Sequence, residues 1–383
     1  MALKVAKRGS VAPFLAMDML SRANRRQQAG GEVVHLEVGQ PGTPAPRRVL
    51  DAAARVLAEG RIGYTEALGI DRLRQAIAEH YQSFYGVPLA AERVAVTTGS
   101  SSGFLLAFLS AFEPGDRVAL ATPYYPAYPN LLTALGLEPV LLPATPDSGF
   151  HPTPELLDAA GQLSGLIVAS PANPTGAMLD PTELRQLVGY CADRGIRLIS
   201  DEIYHGITFG KRALTVAEIE PRAIVVNSFS KYFSMTGWRL GWLVLPEDLV
   251  RPVERLAQSL YISAPALSQE AAIVALACRA ELDAYVEAYA LKRRFLMQHL
   301  PECGLGKVAA CDGAFYFYAD VGHLTNDSED FCHRVLDEAG VALTPGLDFD
   351  PDRGQRYVRL SFAGPMGDME RAVERLRVFL DRR

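Results

Sequence analysis

The chain has 383 residues, more than one ordinary hydrophobic core holds, and this length suits a large domain with a smaller one. Apolar residues make up 49% and charged residues 21% of it, which is the balance of a soluble globular enzyme. The formal net charge of −6 gives no electrostatic reason to expect nucleic acid or an anionic membrane surface as a partner.

Neither a membrane span nor a signal peptide is expected. The longest apolar runs, residues 104–112 and 271–278, are too short to cross a bilayer, and the apolar piece near the N-terminus contains Pro13 and Asp18. The cysteines are odd in number and scattered, without a Cys-x-x-Cys pair. This usage indicates reduced thiols in a cytoplasmic protein, and no metal site is expected.

Short β-rich runs alternate with helical patterns from about residue 93 to 245. Several of these runs are continuously apolar, as expected of strands buried on both faces. The alternation predicts an α/β layered domain with a mostly parallel sheet, whose functional groups collect at the carboxyl ends of the strands. The predicted strands are 93–98, 117–121, 138–142, 165–169, 196–200, 223–227 and 241–245, and Asp180 caps a predicted helix over 181–194.

The pattern changes after about residue 250. Helices dominate there, including a long one over 281–300. A smaller α+β unit follows, with strands near 313–319, 341–344 and 357–362 and a closing helix over 366–380. The first 40 residues lie outside the alternating block, so we expect them to pack with the C-terminal unit or to reach another subunit. The predicted domains are 46–285 (large) and 286–383 (small), with 1–45 as an arm that adds to the small domain.

The most informative stretch runs from Asn227 to Trp242. A buried strand delivers Lys231 to its carboxyl end, although a lysine after a serine is more often a surface residue. Ser228, Ser230 and Arg239 together would form a phosphate cradle, because a guanidinium matches phosphate bidentately. The stretch therefore points to a lysine beside a phosphate site.

This stretch fits the signature Ser-Phe-Ser-Lys-x-x-Ser-Met-x-Gly-x-Arg-Leu-Gly at every specified position. The chain thus resembles the class I/II aminotransferases of pyridoxal-phosphate (PLP) fold type I, the aspartate-aminotransferase-like family, from about residue 11 to 380. The resemblance implies a three-layer large domain with a mostly parallel seven-stranded sheet and a smaller α+β domain. It also implies that Lys231 binds pyridoxal 5′-phosphate as a Schiff base and then moves a proton.

A second motif is Asp-Glu-Ile-Tyr, which begins at Asp201. Alone, Asp201 could merely cap the next helix. By the resemblance, Asp201 keeps the cofactor's ring nitrogen protonated, so that the ring can accept electrons, and Tyr204 donates to the phenolic oxygen. Glu202 and His205 receive structural roles.

Further matches supply the rest of the cofactor site. Asn173, in Pro-Ala-Asn-Pro-Thr-Gly, corresponds to the asparagine at the cofactor's phenolic oxygen. Ser100 and Ser101 match the phosphate loop, at a helix amino terminus that suits an anion. Tyr125 corresponds to the aromatic that stacks on the ring. Tyr128 is its rival for that place, and packing is the alternative for either tyrosine.

Three residues concern the substrate and the assembly. Arg359, in Tyr-Val-Arg-Leu-Ser, matches the arginine that binds the substrate α-carboxylate, and Gly39 matches the glycine whose backbone lies near the same group. Tyr64 matches the tyrosine that reaches the partner subunit's phosphate. The resemblance therefore implies a homodimer with shared active sites.

The sequence departs from the family in ways that bear on specificity. Residues 346–350 read Gly-Leu-Asp-Phe-Asp where Gly-x-x-Phe-Gly is usual, which leaves the geometry of that loop open. Ser101 stands where a dicarboxylate-preferring subgroup has lysine, which disfavours aspartate or glutamate as the main donor. Phe14, Leu15 and Met17 either cover the substrate pocket or pack along a helix face.

The resulting prediction is ping-pong transamination between an L-amino acid and a 2-keto acid. Lys231, Asp201 and Tyr204 form the catalytic set. A cysteine-S-conjugate β-lyase of the same fold remains the alternative, because fold and motif do not settle the reaction type. A PLP-binding transcription regulator is disfavoured, because no DNA-binding segment precedes the enzyme-like part.

Overall fold

A computed structural model describes residues 3–60 and 62–381. The helices are α1 Leu15–Gln28, α2 Arg47–Glu59, α3 Asp71–His80, α4 Ser100–Ala111, α5 Ala127–Leu135, α6 Pro154–Ala160, α7 Pro181–Arg194, α8 Glu247–Leu260, α9 Ala266–Leu276, α10 Arg279–His299, α11 Ser328–Arg334 and α12 Met366–Asp381. The strands are β1 Val34–His35, β2 Val94–Thr97, β3 Arg117–Ala121, β4 Glu138–Leu142, β5 Gly165–Ala169, β6 Arg197–Asp201, β7 Ile224–Ser228, β8 Gly241–Val244, β9 Tyr316–Asp320, β10 Val341–Ala342, β11 Thr344–Pro345 and β12 Tyr357–Ser361.

The predicted seven-stranded sheet is confirmed, with strand order β2-β8-β7-β6-β5-β3-β4. Strands β3 to β7 run parallel, and β8 pairs antiparallel with both of its neighbours. Successive side chains of β5 join different apolar clusters, Leu166 and Val168 on one face and Ile167 on the other. Helices α4 and α8 cover one face and α7 covers the other, so the unit has three layers.

Helix α7 shows why the local sequence folds as predicted. The Asp180 side chain accepts from the Thr182 N–H at 2.8 Å, and the Glu183 side chain accepts from the Asp180 N–H at 3.1 Å, which completes a capping box. Pro181 occupies the first turn, where no backbone N–H is needed, and Gly195 ends the helix with a positive φ of 68°.

The structure corrects several predicted boundaries. Strand β6 ends at Asp201 rather than at Ser200, and β7 ends at Ser228 rather than at Asn227. Asp201 and Ser228 are therefore the last residues of two buried strands. The predicted strand over 313–319 begins only at Tyr316, because Ala314 has a φ of 57° and breaks the extended run. The predicted strand over 341–344 is two strands that belong to different sheets.

The C-terminal unit is built on the antiparallel sheet β11-β12-β9. The N-terminal arm packs against this unit, because β1 pairs with β10 in parallel and the Ser361 N–H donates to the Leu36 carbonyl at 2.7 Å. The division into domains at residues 45 and 285 stays a prediction. In the described residues, no helix is long and apolar enough to cross a bilayer.

Candidate active site

A cavity of about 270 Å³ opens at the carboxyl ends of β5, β6 and β7, against the C-terminal sheet. The structure brings nearly all of the predicted site residues to its wall. Those that line it are Gly39, Ser100, Ser101, Tyr125, Asn173, Asp201, Tyr204, Ser230, Lys231, Arg239 and Arg359. Ser228 and Tyr64 do not line it.

Lys231 follows directly after β7 and projects its amine into the cavity. Its Nζ atom donates to the Gly39 carbonyl at 2.6 Å and lies 5.7 Å from the centre of the Tyr204 ring. Burial lowers the pKa of Lys231 to about 8, and the positive charges of Arg359 and Arg239 act in the same direction. Far more of this amine is therefore neutral and nucleophilic at physiological pH than in an ordinary lysine.

Asp201, at the end of β6, is held by two donors. Its Oδ1 atom accepts from the Ile203 N–H at 3.0 Å, and its Oδ2 atom accepts from the Tyr128 hydroxyl. Burial raises the pKa of Asp201 to about 6, while these hydrogen bonds and the charge of Lys231 oppose that rise. Tyr125 forms the cavity wall, with its ring edge-on to that of Tyr128 at 5.4 Å. The sequence weighed Tyr128 only as a stacking residue and missed its bond to the aspartate.

Gly39 allows a close approach between the N-terminal arm and β9. A methyl group on Gly39 would lie 1.8 Å from the Tyr316 hydroxyl oxygen, so no larger residue fits. That hydroxyl is 2.7 Å from the Tyr204 hydroxyl, and the Tyr316 ring lies 4.5 Å from the Arg359 guanidinium. Sequence reasoning missed Tyr316, which it placed in the middle of a strand predicted over 313–319.

One end of the cavity collects anion-binding groups. Ser100 and Ser101 begin α4, whose first N–H groups lack helical partners, and Ser230 and Arg239 face them. A methyl group on Gly99 would lie 2.4 Å from an Arg239 nitrogen, so this glycine leaves room for the guanidinium. This end suits a phosphate.

Ser228 lies behind Ser230 at the phosphate end of the cavity. Its hydroxyl lies 2.8 Å from the Ser230 hydroxyl and 3.1 Å from the Leu240 carbonyl oxygen. Ser228 thus contacts Ser230 rather than the cavity.

Arg359, on β12, is 4% exposed and forms no ion pair with a carboxylate of the described residues. It donates to Asn173 Oδ1 at 2.9 Å, to the Glu37 carbonyl at 2.5 Å and to the Thr344 hydroxyl at 3.2 Å. Its Nε–H has no hydrogen-bond partner among residues 3–60 and 62–381. A buried cation with only neutral acceptors favours an anionic ligand, and a carboxylate matches the guanidinium fork.

The other predicted residues are Tyr64, which lies away from the cavity, and Phe14 and Met17, which line it. Tyr64 is 83% exposed, beside the surface segment that contains Ser263, because the Thr65 N–H donates to the Ser263 hydroxyl at 3.3 Å. Phe14 and Met17 line the cavity, so the covering alternative describes them better than packing along a helix face.

The residues present fit pyridoxal 5′-phosphate. A phosphate end, a buried carboxylate, a near-neutral lysine and an unpaired guanidinium surround one cavity at the strand ends of a three-layer sheet. The fold and this arrangement define a PLP enzyme of fold type I.

Comparisons with known proteins identify the family. The family model described as "Aminotransferase class I and II" matches residues 31–376 of the chain. The chain is 47% identical to the valine–pyruvate aminotransferase of Mycobacterium tuberculosis, over 97% of each chain. It superposes on the crystal structure of an aminotransferase from Mycobacterium tuberculosis with a TM-score of 0.98, 46% identity and 100% coverage of both chains. For the aspartate aminotransferase of Thermus thermophilus with maleate, the TM-score is 0.93 and the identity 30%, with 99% of this chain and 100% of that one covered.

This chain belongs to the class I and II aminotransferase family. It is an aminotransferase that uses pyridoxal phosphate, as the sequence predicted, and works through the family's ping-pong reaction.

The contact between Gly39 and Tyr316 generates a first prediction. Gly39→Ala should lower kcat/KM about a hundredfold, because the added methyl group must displace Tyr316 and, with it, the neighbouring groups by about 1 Å. Adding Tyr316→Phe to the same chain should restore part of the activity, since it removes the atom in closest contact. Gly189→Ala is the control, because its methyl group meets nothing within 4 Å. Steady-state kinetics check this, and a fully active Gly39→Ala enzyme would contradict the assigned contact.

The lowered pKa of Lys231 generates a second prediction. In the apoenzyme, the rate of covalent capture of pyridoxal phosphate should rise about tenfold per pH unit and level off above about pH 8, because only the neutral amine attacks the aldehyde. Arg359→Gln should move the plateau to higher pH, because Arg359 helps to lower this pKa. Arg356→Gln, at an exposed ion pair with Asp320, should leave it in place. The absorbance of the lysine-bound cofactor measures the rate, and a wild-type plateau near pH 10 would refute the assignment.

Proposed function

We propose that this enzyme transfers an amino group between a neutral, apolar L-amino acid such as valine and a small 2-keto acid such as pyruvate. The observation that carries the proposal is the charge inventory of the cavity. Three cations line it, Lys231, Arg239 and Arg359, and each has a place in the reaction. Lys231 binds the cofactor, Arg239 its phosphate and Arg359 the α-carboxylate. No cation of the described cavity wall is left for a side-chain carboxylate.

The remaining wall also favours an apolar side chain. After the cofactor and α-carboxylate positions are assigned, the wall that is left includes Phe14, Met17, Val38 and Phe349. Asp348, an acidic residue of this wall, would repel a second carboxylate. The name of the Mycobacterium tuberculosis relative, a valine–pyruvate aminotransferase, supports this choice. The Thermus thermophilus relative, studied with the dicarboxylate maleate, is less similar at 30% identity.

The predicted residues at the phosphate end of the cavity bind the cofactor's phosphate in this proposal. Ser100, Ser101, Ser230 and Arg239 bind the phosphate, and Ser228 acts through Ser230. Their hydroxyl and guanidinium donors at the start of α4 support this.

The other residues serve the ring and the substrate. Tyr125 stacks on the ring, Asp201 pairs with the ring nitrogen, and Tyr204 and Asn173 donate to the phenolic oxygen. Arg359 binds the α-carboxylate, and its bond to Asn173 Oδ1 leaves that side chain's amide N–H groups free to donate.

The chain's own groups then perform the proton transfer. Pyridoxal phosphate, when bound, supplies an electron sink for the electrons of the broken Cα–H bond. Lys231 would hold the cofactor through its amine and, once that amine is free, would accept the Cα proton and return it to the cofactor's C4′ atom. A pKa lowered to about 8 suits a group that must both take and give a proton. Arg359 holds amino acid and keto acid alike, because both carry an α-carboxylate, so one site serves both half-reactions.

A homodimer with shared active sites is the proposed assembly, with Tyr64 reaching the partner subunit's cofactor phosphate. The exposed side chain of Tyr64 supports this, because it lies beside an apolar surface formed by Ile62, Leu260 and Ile262. A cytoplasmic location is proposed because the five cysteines are buried and none forms a disulfide.

A donor panel tests the proposed substrate. Turnover of valine and alanine with pyruvate should exceed that of aspartate and glutamate by at least about a hundredfold in kcat/KM, because a second carboxylate would be buried without a partner. Coupled keto-acid assays on the purified holoenzyme measure this. Ser101→Lys is the matched variant, which should raise kcat/KM for aspartate about tenfold by offering a cation. A wild-type preference for aspartate would sink the proposal.

Mixing two inactive variants tests the shared site. Lys231→Ala lacks the cofactor amine and Tyr64→Ala lacks the proposed phosphate contact, so each homodimer should have little activity. In a mixed dimer, one site combines Lys231 and Tyr64 from different chains. An equimolar mixture, after exchange of subunits, should therefore recover about a quarter of the wild-type activity. Mixing Lys231→Ala with Arg359→Ala is the control, which should recover none, because both residues belong to one chain's site. Absence of recovery in the first mixture would argue against sharing.

A further inference from the structure

The unusual loop over residues 346–350 contacts the start of α1. Asp348 is 8% exposed, and its two carboxylate oxygens accept from the Leu15 N–H at 2.8 Å and the Ala16 N–H at 3.1 Å. These residues are 333 and 332 positions apart in the chain. The aspartate that departs from the family pattern is therefore a long-range partner of the N-terminal helix.

Helix α1 needs such a partner, because its own sequence provides no cap. The N-cap residue, Phe14, makes no side-chain hydrogen bond to the helix. The first N–H groups of a helix have no acceptor within it, and a carboxylate there both accepts hydrogen bonds and faces the positive end of the helix dipole. Asp348 thus supplies from the C-terminal unit what Ser, Thr or Asp usually supplies locally.

This attachment fixes a wall of the cavity. Phe14 packs edge-on against Tyr125 with ring centres 6.0 Å apart, and Ala16 and Met17 line the cavity. On the other side, the Ala12 carbonyl accepts from the Asn130 side chain on α5 at 2.9 Å. Residues 12–17 therefore cross the cavity between the two units.

The second aspartate of the loop keeps the first in place. Asp350 Oδ1 accepts from the Asp352 and Arg353 N–H groups, and its other oxygen pairs with the Arg353 side chain at 2.9 Å. Arg353 also donates to the Thr122 hydroxyl at 2.6 Å, at the end of β3. Both aspartates of Gly-Leu-Asp-Phe-Asp are thus engaged, one with α1 and one with the large sheet.

We propose that Asp348 is a specificity-determining positioning residue, which holds residues 12–17 over the cavity so that Phe14 and Met17 form the wall of the substrate's side-chain subsite. Its carboxylate also keeps that subsite unfavourable for acidic side chains. The proposal deepens the proposed function and rests on it only for the identity of the preferred donor. Arg359 and Asn173 bind a group common to all amino acids, so loss of Asp348 affects the side chain of the substrate more than its α-carboxylate.

Three variants of the holoenzyme test this proposal. Asp348→Ala removes both acceptors, and Asp348→Asn keeps one acceptor without the charge. Asp337→Asn is the matched control, because Asp337 pairs with Arg22 of the same helix at 2.6 Å but on the exposed side, away from the cavity. Hydrogen exchange followed by mass spectrometry reports on the amides of Leu15 and Ala16. Kinetics with valine, alanine and aspartate report on the subsite.

The expected result separates positioning from a general structural role. Asp348→Ala should speed exchange at residues 12–20 alone, and raise KM for valine about tenfold with little change in kcat. KM for alanine should rise less, because its side chain scarcely reaches the wall. Asp348→Asn should lie between the wild type and Asp348→Ala for valine, and should improve kcat/KM for aspartate. Asp337→Asn should change neither exchange at Leu15 nor any KM.

Other outcomes would overturn the proposal. An equal fall in kcat for every donor, with a lower melting temperature, would mean that Asp348 only stabilises the fold. Unchanged exchange at Leu15 and Ala16 in Asp348→Asn and Asp348→Ala would mean that it does not hold the helix. If the wild type prefers an acidic donor, the proposed function fails, and the KM for that donor, with the exchange data, still judges the role of Asp348.

Discussion

The active site depends on a buried guanidinium that forms no ion pair within the described chain. Burying a cation costs several kcal/mol unless a counter-charge or good hydrogen bonds offset the loss of water. The acceptors around Arg359 are an amide, a carbonyl and a hydroxyl, which fix its orientation without neutralising it. The carboxylate of Glu37 pairs with His35 at 2.7 Å rather than with Arg359. Arg359 contacts only the backbone carbonyl of Glu37. The positive charge therefore remains available to a carboxylate ligand.

The same low-dielectric surroundings shift the two central ionisable groups in opposite directions. Burial raises the pKa of Asp201 to about 6 and lowers that of Lys231 to about 8, since it disfavours the charged form of each. Tyr128 and the Ile203 N–H hold Asp201 as a carboxylate, ready for a protonated ring nitrogen. Arg239 and Arg359 hold Lys231 near neutrality. At the ends of two adjacent parallel strands, the Asp201 carboxylate thus lies near an amine, that of Lys231, which can gain and lose a proton.

Local pattern predicted well which residues meet at the strand ends. Lys231, Asp201 and Asn173 each follow a run of buried apolar residues, and parallel strands bring such positions to one edge. The mostly parallel sheet followed from the alternation of elements, and its seven strands and three layers followed from the family resemblance, whereas the order of the strands came only from the structure.

The contacts between distant segments could not be predicted in this way. The bond from Tyr128 to Asp201 and the pairing of Tyr204 with Tyr316 join separate segments. Ala314, through its positive φ, delays the start of a predicted strand. Periodicity carries no information about such pairs, because it reports which face of an element is buried and not what lies opposite.

Substrate specificity depends on such contacts between distant segments. The Thermus thermophilus enzyme shares the backbone at a TM-score of 0.93 with only 30% identity, so the sheet and its strand ends do not by themselves distinguish donors. Differences must arise where walls meet the substrate side chain. In this chain one such wall is an uncapped helix whose missing acceptor is supplied by Asp348, so a residue far along the sequence fixes both the position of Phe14 and the sign of the nearby charge. A substitution in that loop therefore alters the subsite without touching the groups that bind cofactor or α-carboxylate, and selectivity can change while the chemistry at Lys231 stays the same.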